Sequence, residues 1–218
     1  MTAVLVRTDV AQGVLDEYES FASLIESLDA KAWATHTRCT GFEVRDVAGH
    51  VVGLAEDVVK GVPGSRNAEE EAASVRGDTA AQAGARLRAV LESLRPLLDA
   101  IVADDDAWNG PSGVPDLTFG RGVLTLWYDT FVHADDIRAA LGRTSETGPG
   151  LAASVAYLAG ELTTRDWGPA TLAFDGLPSH DVSGGGGEIA GDPLQFVLVA
   201  TGRAEPETIG LQPGISIY

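Results

Sequence analysis

Apolar residues recur at intervals of three and four along the first two-thirds of the chain. Over residues 9–30 the stripe is Val10, Val14, Tyr18, Phe21, Ile25 and Leu28, which predicts an amphipathic helix. Residues 43–61 repeat it with Val47, His50, Val51, Leu54 and Val58. Residues 79–103 carry Ala83, Leu87, Val90, Leu94, Leu98 and Ile101. Pro96 inside that run predicts a kink or a break, because proline removes a helix hydrogen bond. In residues 120–142 the stripe is Leu126, Asp129, His133, Ile137 and Ala140, with Gly142 placed to cap it. Four helices with one apolar face each predict a bundle.

The links differ in character. "GVPGSRNAEEEAA" is rich in glycine and proline, then acidic, and predicts a solvent-exposed crossover. "DDDAWNGPSGVPDLTFG" is a long stretch of turn formers. After Gly142 the texture changes. "GLAASVAYLAGELTTRDW" is one more helix, and "ATLAFDG" alternates with period two as a strand does. "SHDVSGGGGEIAG" has turn signals and little apolar content, and its glycines lack the Lys-Ser/Thr of a phosphate loop. "DPLQFVLVATGR" opens with an N-cap aspartate and a proline at the first helical position. The pattern predicts an α+β protein in which a helical bundle, residues 1–148, precedes a small α+β domain, residues 149–218.

Three residues break the apolar stripes. His50 stands among Val47, Val51 and Leu54, and Asp129 and His133 stand one turn apart on one helix face. A buried carboxylate without a partner costs several kcal/mol. Two imidazoles and a carboxylate converging inside a bundle make a three-ligand set with open positions, as zinc uses in catalysis and non-heme iron(II) also accepts. The rival reading is a structural hydrogen bond between Asp129 and His133, with His50 an ordinary core residue. Asp46, one turn before His50, either orients that ring or suits the first turn of its helix. Asp135, Asp136 and Arg138 form a solvated ion cluster on this reading, and His36 and His180 belong to no constellation.

Composition narrows the partners. The formal net charge of −17 excludes the basic footprint that nucleic acid or an anionic membrane demands. No stretch reaches the roughly 18 apolar residues of a membrane span. Cys39 is the single cysteine, so no intrachain disulfide forms and a reducing cytoplasm is expected. "MTAVLVRTDV" has no basic segment followed by a long apolar run, and no signal peptide is expected.

"TRCTGFEVRDVAGHVVG" (37–53) resembles the second-helix signature of the DinB-like, maleylpyruvate isomerase superfamily, with its threonine, small residue, Val-Arg-Asp and histidine. "YDTFVHADDIRAALGR" (128–143) resembles the partner segment, an acid four residues before a histidine, then Asp, Arg and Leu-Gly-Arg. "GDPLQFVLVATGRAEPETI" (191–209) is similar to the C-terminal domain of mycothiol-dependent members. The resemblance implies a DinB-like four-helix bundle that binds a divalent metal, usually zinc, through His50, Asp129 and His133. It implies that Arg203 holds an anionic group of a small-molecule substrate. It also implies a low-molecular-weight thiol, mycothiol, delivered as a metal-held thiolate in a cleft between the domains, for isomerisation or S-transfer. Two positions depart from the pattern. Asp129 stands where glutamate is usual, and Phe42-Glu43 stands where Trp-Ser/Thr is usual. The alternatives are a thiol-independent metalloenzyme and a metal-free binding or regulatory module.

Overall fold

The computed structural model describes residues 5–209 and 215–216. The expectation drawn from the N-terminal stretch falls partly outside them. The chain forms two compact units, one of Arg7–Glu146 and one of Thr147–Tyr218 with Met1–Val6. Helices dominate the described residues, and the second unit adds a small sheet, so the fold class is α+β.

In the first unit the long helices are α1 (Arg7–Glu26), α3 (Val44–Val59), α5 (Ala80–Val102) and α7 (Phe119–Ala140). Short helices α2 (Ala30–Trp33), α4 (Ala68–Ala73) and α6 (Asp105–Asn109) lie in the links. Helices α1 and α5 bury the stripes their spacing predicts, including Val14, Tyr18, Phe21 and Ile25 of α1 and Leu87, Leu94 and Leu98 of α5, while α3 and α7 bury theirs in part. Helix α1 packs on α5 and α7, and α3 packs on the same two, which closes a four-helix bundle. The helix starts are chemically marked. Thr79 accepts from the Gln82 amide while the Gln82 side chain accepts from the Thr79 amide, and Thr118 accepts from the Arg121 amide. Gly142 takes φ 64° after α7, and the Arg143 amide reaches back to the Arg138 carbonyl at 2.8 Å.

Two expectations about this unit change. Helix α5 runs through Pro96 without a break. Pro96 is exposed, so the carbonyl it orphans faces water, while Leu94, Leu98 and Ile101 on the opposite face are held in the core. The acidic link is not an exposed crossover throughout. Asn67 caps α4 by accepting from the Glu70 amide, and Glu71 and Ala72 are buried. Glycines on α3 make room for them. A β-carbon on Gly53 would stand 2.8 Å from Glu71 Cβ, and one on Gly49 would stand 2.8 Å from the Ala72 carbonyl oxygen. We expect Gly53→Ala to displace α4. The strain of overpacking, about 1–3 kcal/mol, exceeds or matches the roughly 1 kcal/mol of helix propensity gained. The urea midpoint should fall with the m-value unchanged. A variant as stable as the parent would mean that α4 does not need this close approach.

The second unit contains α8 (Pro149–Thr164), β1 (Ala170–Phe174), β2 (His180–Val182), β3 (Gly187–Gly191), α9 (Pro193–Ala200) and a 3-10 turn (Pro206–Ile209). The sheet order is β2-β1-β3, with β1 antiparallel to β2 and parallel to β3. "SHDVSGGGGEIAG" therefore supplies two strands and not only a turn. Its alternation is short, and the backbone ladder to β1 compensates for its poor apolar content. Leu172 and Phe174 of β1 pack inward, and the Phe174 and Phe196 rings lie 5.0 Å apart. Asp192 caps α9 by accepting from the Leu194 amide at 2.8 Å.

Candidate metal centre

Helices α3 and α7 bring His50, Asp129 and His133 to one point. His50 Nε2 lies 3.4 Å from Asp129 Oδ2, and His133 Nε2 lies 3.5 Å from Asp129 Oδ1. The two imidazole rings meet edge to face, centroids 4.9 Å apart. These gaps are long for hydrogen bonds. They suit a shared cation better, since donors at about 2.0–2.2 Å from a tetrahedral zinc stand roughly 3.4 Å from one another. All three side chains are half-buried, so the donors stay reachable. The shorter arm of Asp129 still reaches between both rings, because it and His133 share one helix face and α3 packs directly against it.

The outward nitrogen of each ring is tied down. His50 Nδ1 donates to Glu71 Oε2 at 2.6 Å, and His133 Nδ1 donates to Asp136 Oδ2 at 3.0 Å. An ionised carboxylate only accepts, so each ring keeps a hydrogen on Nδ1, and it is the Nε2 proton, facing Asp129, that a metal would displace to gain a lone pair. This is the arrangement by which outer carboxylates orient metal-binding histidines and raise their basicity. Glu71 takes the place that Asp46 was a candidate for. Asp46 instead accepts from the Glu43 amide at 3.0 Å and pairs with Arg76 at 3.4 Å, at the start of α3.

Asp135, Asp136 and Arg138 are not a solvated cluster. All three are buried. Arg38 binds both aspartates, with Nε 2.6 Å from Asp136 Oδ1, and Arg138 pairs with Glu146. The Cys39 thiol donates to Asp136 Oδ2 at 3.1 Å, so Asp136 ties the 37–43 segment to His133. Cys39, His133 and Asp136 also lie close enough to share an ion. The Arg38 guanidinium on Asp136 neutralises that group, which leaves the His50, Asp129 and His133 set the better fit for a cation.

The charges interlock. Burial would raise the Asp129 carboxyl, but the His133 and His50 imidazoles hold it far below the usual carboxylate range. Burial pulls His50 down, yet Asp129 and then Glu71 outweigh it and bring it to about 9. Burial likewise opposes, and Asp129, Asp136 and Cys39 overcome it, for His133, which ends well above its ordinary 6.5. Tyr18 of α1 lies beneath the group, its phenol pushed up by burial and by the Asp129 charge.

A family model described as the mycothiol maleylpyruvate isomerase N-terminal domain matches residues 14–138, more than half of the chain and every residue of this centre. The chain belongs to that family. In fold it is similar to the crystal structure of a mycothiol-dependent maleylpyruvate isomerase, with a TM-score of 0.64 and 16% identity over 91% of this chain and 88% of that one. A histidine-to-alanine mutant of a mycothiol-dependent maleylpyruvate isomerase matches with a TM-score of 0.62, at the same identity and coverage. No curated protein matches the sequence significantly.

Within this mycothiol maleylpyruvate isomerase N-terminal domain family member, Glu71 is the site residue that helical periodicity misses, since α4 is too short to show a stripe. Asp136, expected in a solvated cluster, falls three residues after His133 and seven after Asp129 on the same face, and that spacing is the signal that could have found it. Arg203 lies in the second unit, just past α9. Its amide closes the helix on the Leu198 carbonyl at 2.7 Å, across Gly202 at φ 68°, and its guanidinium Nη1 donates to the Thr201 carbonyl at 3.3 Å. His180 is buried in β2, where burial lowers its imidazole, and His36 lies in a bridge to Glu43. Neither joins the centre. Among the described residues, no helix is long and apolar enough to cross a membrane.

Proposed function

We propose that this chain is a thiol-dependent isomerase or S-transferase that uses mycothiol and a divalent metal, zinc by its donor set, on a small electrophilic substrate. The observation that carries the reading is the convergence of two Nε2 atoms on one carboxylate, with both Nδ1 atoms held by carboxylates behind them. Family membership supports the thiol and the reaction class, as does the likeness to mycothiol-dependent maleylpyruvate isomerase. His50, Asp129 and His133 hold the metal. A divalent metal so held supplies the charge that keeps a bound thiol deprotonated at neutral pH. Glu71 and Asp136 keep the rings in register. Arg203 has the role that the resemblance implies, a cation for an anionic group of the substrate. A reducing cytoplasm, where such thiols stay reduced, is part of the proposal.

The test uses the full chain without a histidine tag, with cobalt(II) in place of zinc. Adding mycothiol should bring in a near-ultraviolet sulfur-to-metal charge-transfer band, and turnover should require the thiol. Arg203→Ala should keep the band and lower turnover. Activity without thiol, together with an unchanged spectrum, would establish a thiol-independent metalloenzyme instead. A protein that takes up no metal would leave a binding or regulatory module.

A further inference from the structure

The first unit holds a second feature that the metal centre does not use. A cavity of about 460 Å³ lies along the C-terminal half of α3, against α5 and the start of α7. Packed interiors leave few voids larger than a water molecule, and an apolar cavity of roughly 150 Å³ already holds benzene. This one is in the range of small-molecule sites, roughly 300–1,000 Å³. Its wall is almost wholly hydrocarbon. No charged side chain lines it, and Ser112 and Thr125 supply its only side-chain hydroxyls. Thr125 gives its hydrogen to the Arg121 carbonyl of its own helix, at 2.9 Å.

Position and exposure point to a ligand. Leu54 on the wall is one turn beyond His50 on α3, and Leu126 on the wall is one turn before Asp129 on α7. Neighbours at such spacing are about 5–6 Å apart on a helix surface, so two residues of the wall stand one turn from the donors. Leu97 lines the cavity and Val62 stands between two residues that do. Both are among the large apolar side chains left exposed in the described residues. A carboxylate placed inside would lose its hydration and find no cation, at a cost of several kcal/mol.

We propose that this cavity is a subsite for the uncharged, apolar body of a small molecule, an aromatic ring or a compact hydrocarbon chain, whose electrophilic end meets the His50, Asp129 and His133 cluster. The cavity as a binding site stands on its own geometry. Its part in turnover rests on the function proposed above. The substrate class it selects is an electrophile with a hydrocarbon body, in contrast to a small diacid.

The experiment uses N-phenyl-1-naphthylamine, an uncharged fluorescent probe, with the full chain. Binding should saturate at one probe per chain, and it should persist after chelation of the metal, which separates this inference from the metal reading. Gly122 lies on the wall, and a β-carbon there meets nothing closer than Leu117 Cδ2 at 3.6 Å. Gly122→Leu therefore fills the space without a backbone clash and should weaken the probe at least about tenfold. Gly122→Ala, which adds one methyl group, should stay folded and bind far better than the leucine variant. 1-Chloro-2,4-dinitrobenzene should displace the probe and maleate should not. Unsaturable binding, equal affinity in Gly122→Leu, or displacement by maleate at similar concentration would overturn the proposal. So would binding that appears only when a dimer, seen by sedimentation, is diluted apart, because a second copy would then cover the cavity.

Discussion

A His133→Ala protein should keep its helicity and lose its metal. His133 supplies one of two imidazole donors, and its Nε2 stands 3.5 Å from the Asp129 carboxylate that the donors share. A ligand at a hundred times its dissociation constant stabilises the folded state by ~2.7 kcal/mol. In a protein of this size that amounts to roughly 5–11 °C in melting temperature. The parent should show this rise with zinc, and His133→Ala should show none. The variant should also purify with metal far below one atom per chain. The helix itself tolerates the change, because alanine is the best helix former and Asp136 keeps its Arg38 partner. An equal zinc-dependent rise in both proteins would show that His133 is not a ligand.

The second large effect is on pH. Three carboxylates, Glu71, Asp129 and Asp136, face the two imidazoles, and they hold His50 at about 9 and His133 well above its ordinary value. A metal must displace both protons, so its affinity falls about a hundredfold for each pH unit below both values. Between pH 8 and pH 6 the His50 proton alone should cost about a hundredfold, and the raised His133 adds to that loss. Without metal the sign reverses. Stability from the raised imidazoles is fully present below 6.5 and is lost as pH rises through 9, while that from the lowered Asp129 is present above 3.8 and lost as pH falls. Zinc should therefore raise the melting temperature strongly at pH 8 and little at pH 6, which scanning calorimetry at fixed free zinc would show. A zinc effect independent of pH would place the metal away from both rings.

Pro96 and Glu71 show where local reading fails, for opposite reasons. A proline is a strong local breaker, yet its cost falls on one exposed carbonyl, and the buried leucines on either side outweigh it. An acidic hexapeptide is a strong local signal of solvent, yet Gly49 and Gly53 let its backbone come within contact of α3 and carry Glu71 onto His50. Asp135 and Asp136 failed similarly. Two adjacent aspartates near a helix end suggest water, but Arg38, nearly a hundred residues away in the chain, neutralises both.

What the sequence by itself determined was periodic: four apolar stripes, the Gly142 cap of the fourth, and the anomaly of His50, Asp129 and His133 on faces that belong in a core. A helix repeats every 3.6 residues, so residues on one face announce themselves by spacing alone. What only the tertiary structure decided was which faces meet. That α3 lies against α7 makes three donors a cluster, that α4 nests on two glycines gives His50 its carboxylate, and that α3, α5 and the start of α7 leave space between them makes a cavity. These depend on distances between segments far apart in the chain, where side-chain volume and the close approach of backbones decide the outcome and no local period records it.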